Sequence, residues 1–130
     1  MKAQEIIDGN TLLAKFEVPN WELLNSPDYV GGISTENLFK AVSLCSNQYE
    51  NLKYHISWNW LMSIVEKIES LNDMQTDIFS LQGGVCGFKI TSYRYYNNES
   101  FAASRIDATW KGCVEFVKFY NENVLNINLL

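Results

Sequence analysis

The pair Gly83-Gly84 constrains this chain more than any other feature of its sequence. Two adjacent glycines accept positive φ at both central positions of a tight hairpin turn, and alternating apolar residues stand on either side of them. A two-residue turn there opposes Leu81 with Cys86, Phe79 with Phe88 and Asp77 with Ile90. Phe79, Leu81, Cys86, Phe88 and Ile90 then share the covered face. Ser80, Gln82, Gly87, Lys89 and Thr91 share the other, with Asp77 the one misfit. A slip of one residue would exchange the two faces, so this register is a sharp expectation. The second strand reads on through Ser92-Tyr93-Arg94-Tyr95-Tyr96. Asn97 to Glu99 turn the chain into a short third strand around Phe101, giving an antiparallel meander over about 77–103.

Helical spacing surrounds this sheet, with helices expected at about 3–16, 35–45, 57–71 and 104–122. The first carries Ile6, Gly9, Leu13 and Phe16 on one stripe, with a weak point at Gly9-Asn10. Residues 18–34 hold both prolines and read as a loop pinned by Trp21, Leu23 and Leu24. Thr35 reads as the cap of the second helix, whose stripe is Leu38, Ala41, Val42 and Cys45. Ser57 can cap the third, in which Trp58, Leu61, Ile64, Val65, Ile68 and Leu71 recur at three-four spacing. Ser104 with Asp107 resembles a capping box and opens the last helix, with Ile106, Trp110, Cys113, Phe116, Val117 and Tyr120 inward. Lys111–Glu115 and Lys118–Glu122 are expected ion pairs on its wet face. The tail 123–130 reads as an edge strand or an oligomer contact. The expected fold class is α+β in a single domain, residues 1–130.

Composition excludes several functions. With 10 Lys plus Arg against 15 Asp plus Glu, the net charge is -5, which disfavours binding to nucleic acid or to an anionic membrane surface. No apolar run reaches the roughly 18–20 residues that cross a bilayer. The start MKAQEIIDGN lacks the apolar stretch of a secretory signal, so the cytoplasm is the expected compartment. Cys45, Cys86 and Cys113 form an odd set without CxxC spacing, and read as reduced thiols rather than a disulfide framework. With His55 as the only histidine, neither a zinc site nor a histidine-based hydrolase is expected, and no metal or other cofactor is inferred. Gly31-Gly32 lacks the lysine of a phosphate loop.

One block resembles a known family. Ser57-Trp58-Asn59-Trp60-Leu61-Met62, followed by Val65-Glu66-Lys67-Ile68-Glu69, is similar to a stretch typically written Ser-Trp-Asp-Trp-Leu-Met-Pro-Val-Val-Glu-Lys-Ile-Glu. That stretch occurs in small bacterial and phage or prophage proteins with no assigned activity. Gly9-Asn10 through Phe16, and Ala108 through Asn121, resemble the same family in the same order. The chain departs from it at Ser63, in place of the proline, and at Asn59, in place of the aspartate. Asn59 cannot ionise, so no carboxylate role carries over to that position. The resemblance implies a mobile-element setting and no mechanism.

No catalytic constellation emerges. Glu66, Lys67 and Glu69 read as a wet helix surface, and Cys86 and Cys113 as inward thiols. The candidate interaction surface is Tyr93, Arg94, Tyr95 and Tyr96, with Trp60 added from the third helix. Tyr93 and Tyr95 are expected to point away from the covered face, beside Lys89 and Thr91. The resulting expectation is an accessory protein that acts by binding a protein partner or a second copy of itself. Two other classes stay open: a small enzyme with a pocket not visible in sequence, and an acidic mimic of nucleic acid that inhibits a host protein.

Overall fold

The computed structural model describes residues 2–27, 31, 33–71, 73–92 and 96–125. Its element order is helix α1 (Ala3–Glu17), helix α2 (Thr35–Cys45), helix α3 (Trp58–Ser70), strands β1 (Met74–Ser80), β2 (Cys86–Ser92) and β3 (Asn97–Ala102), and helix α4 (Arg105–Phe119). Short 3-10 turns lie at Trp21–Asn25 and Tyr49–Asn51. The sheet is antiparallel in the order β1-β2-β3, so the α+β class holds. The chain divides into two compact units, Met1–Lys53 and Tyr54–Leu130.

In the first unit α1 runs unbroken through Gly9-Asn10. Asn10 is buried, and its Nδ2 donates to the carbonyl of Leu52 at 3.1 Å, which satisfies a polar group that burial would otherwise penalise. The cap of α2 is Ser34 rather than Thr35, its hydroxyl accepting from the amide of Asn37. Of the apolar stripe expected on α2, Leu38 and Val42 are turned outward while Ala41 is buried and Cys45 half-buried. Leu38 and Val42 are 39% and 47% exposed, while Lys40, Ala41, Ser43 and Leu44 are buried. On the buried side Lys40 Nζ stands 2.6 Å from Glu17 Oε1, so the lysine enters the interior as one half of an ion pair.

In the second unit Ser57 and Ser104 cap α3 and α4, accepting from the amides of Trp60 and Asp107. Leu61, Ile64, Val65 and Ile68 form the buried stripe of α3, and Trp58, expected to begin that stripe, is exposed instead. Thr76 Oγ1 donates to Glu69 Oε2 at 2.9 Å and ties β1 to α3. Helix α4 lies against the sheet at Gly112, where an added Cβ would stand 2.3 Å from the ring of Phe88. In place of the expected i,i+4 pairs, Lys118 meets Glu115 at 3.7 Å. A π-helical segment, Tyr120–Leu125, follows α4, so Leu125 is helical rather than part of a strand; the rest of the tail expectation, 126–130, lies outside the described residues.

The register departs from expectation by one residue. Ser80 pairs with Cys86, Phe79 with Gly87, Ile78 with Phe88, Asp77 with Lys89 and Thr76 with Ile90. The loop has three residues, Gln82-Gly83-Gly84, closed by Leu81 N donating to Val85 O at 2.7 Å. Gly83 and Gly84 do take positive φ, +83° and +79°, as the turn requires. An odd loop changes the pairing sum by one, and β1 turns over. Phe79 and Phe88 therefore lie on opposite faces. Ile78, Cys86, Phe88 and Ile90 face the helices, Ser80 joins them, and Phe79 faces outward. Asp77 lies outward beside Lys89 and is no misfit. Asn97 to Glu99, expected to turn the chain, are paired residues of β3, opposite Thr91, Ile90 and Lys89.

Candidate protein-binding surface

The outward face of the sheet is built in rows. Nearest the hairpin tip stand Leu81 and Val85, then Phe79, Gly87 and Phe101, then Asp77, Lys89 and Glu99, and last Gln75, Thr91 and Asn97. The first two rows are apolar and the last two polar. Phe79 and Phe101 meet edge to face across Gly87, with centroids 6.1 Å apart and planes at 80°. Glycine between them is a spatial requirement, since a Cβ at position 87 would stand 2.4 Å from the Phe79 ring. Phe101 remains 43% exposed, Leu81 52% and Val85 39%. In the next row Lys89 Nζ stands 3.7 Å from Glu99 Oε1.

The residues picked from sequence fall differently. Tyr93, Arg94 and Tyr95 lie outside the described residues. Tyr96 is half-buried against α4, its ring 4.7 Å from that of Phe119 and 5.3 Å from that of Phe116. Burial, and then the Glu115 carboxylate, push its phenol up to about 12. Trp60 stands edge-on to the buried Tyr54, centroids 5.1 Å apart. Phe79, Leu81, Val85 and Phe101 were not singled out as a surface, because the two-residue turn placed Phe79 and Leu81 inside. Gln82 was the available signal, a polar residue able to lengthen the loop.

Among the described residues the perturbed titratable groups do not converge. Cys113 is fully buried, and desolvation raises its thiol well above the usual range. Burial, then Glu22, raise Cys45, whose Sγ donates to the carbonyl of Trp21. Burial lowers His55, partly offset by Asp107. Among the described residues no three His, Cys, Asp or Glu side chains gather as metal ligands would. A depression of about 390 Å³ lies between the start of β3 and the end of α4, lined by Tyr96, Asn98, Glu115, Lys118, Phe119 and Glu122 among others. Among the described residues no helix is long and apolar enough to cross a membrane. Comparison with known proteins finds no matching family model, no similar curated protein and no similar solved structure.

Proposed function

We propose that this chain is a noncatalytic accessory protein of a phage or other mobile element, working in the cytoplasm by binding another protein. The supporting observation is the apolar end of the outward sheet face, where Phe101, Leu81 and Val85 stay exposed around the Phe79–Phe101 contact. The mobile-element setting rests on the resemblance of the block Ser57 to Glu69. Two rows across three strands span on the order of 200–300 Å², given strands about 4.8 Å apart. A stable interface covers about 800 Å² on each partner, so this patch is the centre of a larger contact, too small to seal a dimer of this chain alone. Asp77 and Glu99, one on each edge strand, flank the patch with carboxylates that oppose a second copy of the same edge.

The test compares tagged wild-type protein with Phe101→Asp in capture from host cells, with circular dichroism confirming the fold. Phe101 is 43% exposed, so the change costs little beyond its edge-to-face contact with Phe79, about 0.5–1.5 kcal/mol. A protein retained by the wild type and lost by the variant supports the reading. Identical captured sets refute it. A dimer by light scattering that Phe101→Asp converts to monomer also overturns it, because the occupant is then a second copy.

A further inference from the structure

We draw no further inference here: the strongest candidate, the exposed apolar face that Leu38, Phe39 and Val42 form on helix α2, carries nothing because nothing in the structure shows what covers it.

Discussion

Gly112→Ala isolates the contact that seats α4 on the sheet. Two effects of opposite sign compete. In a helix interior alanine is favoured over glycine by about 0.5–1 kcal/mol, so propensity alone would stabilise the variant. Sterically, the new Cβ would lie 2.3 Å from Cδ2, 3.0 Å from Cε2 and 3.4 Å from Cγ of Phe88. Relief to an ordinary contact of about 3.5 Å needs a shift of roughly 1.2 Å, in a core as close-packed as an organic crystal. Phe88 is 1% exposed, and its Cγ is already tight, so rotation of the ring about its own axis does not clear the clash. Either the helix lifts or the ring leaves its rotamer, and overpacking of this kind costs about 1–3 kcal/mol. The steric effect wins, leaving a net destabilisation of about 1–2 kcal/mol. Urea unfolding followed by tryptophan fluorescence measures it. With a slope of about 1–3 kcal/mol/M, the midpoint falls by roughly 0.5–1 M. Phe88→Leu in the same background should recover part of the loss through coupling between the two sites. A Gly112→Ala protein as stable as the wild type would show that α4 does not sit on Phe88 at this distance.

Two further outcomes follow from buried groups. Lys40→Met removes the ion pair of the Glu17 carboxylate, whose side chain is 9% exposed, and is expected to cost about 3–5 kcal/mol in chemical denaturation; Lys40→Met with Glu17→Leu should recover most of it. A double variant as unstable as the single one would show that packing, and not the broken ion pair, sets the cost. Tyr96 keeps its proton to about pH 12 in the folded state and to about 10 when unfolded. Stability linked to it is therefore full below pH 10 and lost as pH rises from 10 through 12, because the unfolded chain releases its proton first. Tyr96→Phe should flatten that alkaline loss, and an unchanged slope would place the cause elsewhere.

Local chemistry was the legible part of this fold. The caps at Ser57 and Ser104 depend on a hydroxyl and an amide three residues away, and both formed where the sequence placed them. What failed depended on distance or on a count. On α2 the buried Lys40 is matched by Glu17, 23 positions away, a pairing that helical spacing cannot register. The hairpin was located correctly, but its loop includes Gln82, and that one residue decides which side of β1 faces the helices. Sequence groups Tyr96 with the aromatic surface by extending β2 past Ser92, where the strand ends, and its packing on Phe116 and Phe119 involves a helix about twenty residues away.

The α+β architecture was insensitive to the register error for a reason visible in β1. Ile78 and Phe79 are adjacent and both large, so either register buries one of them and exposes the other. On β2, Phe88 and Ile90 face the helices in both schemes, and the helix-facing core is completed whichever partner arrives. Burial of the large apolar side chains alone thus does not choose between the registers. Asp77, which the alternative register would put on the helix-facing side, and the turn itself, with Gly83 and Gly84 at positive φ behind Gln82, favour the observed one. Phe79 is the large residue left outside, and Gly87 opposite it gives its ring the room to lie toward Phe101. The exposed aromatic pair at the centre of the proposed binding face is therefore the direct consequence of a three-residue loop that keeps Leu81 opposite Val85; deleting Gln82 leaves a Gly83-Gly84 turn that closes on the same Leu81–Val85 pair, so Phe79 should stay opposite Gly87 and the patch should remain.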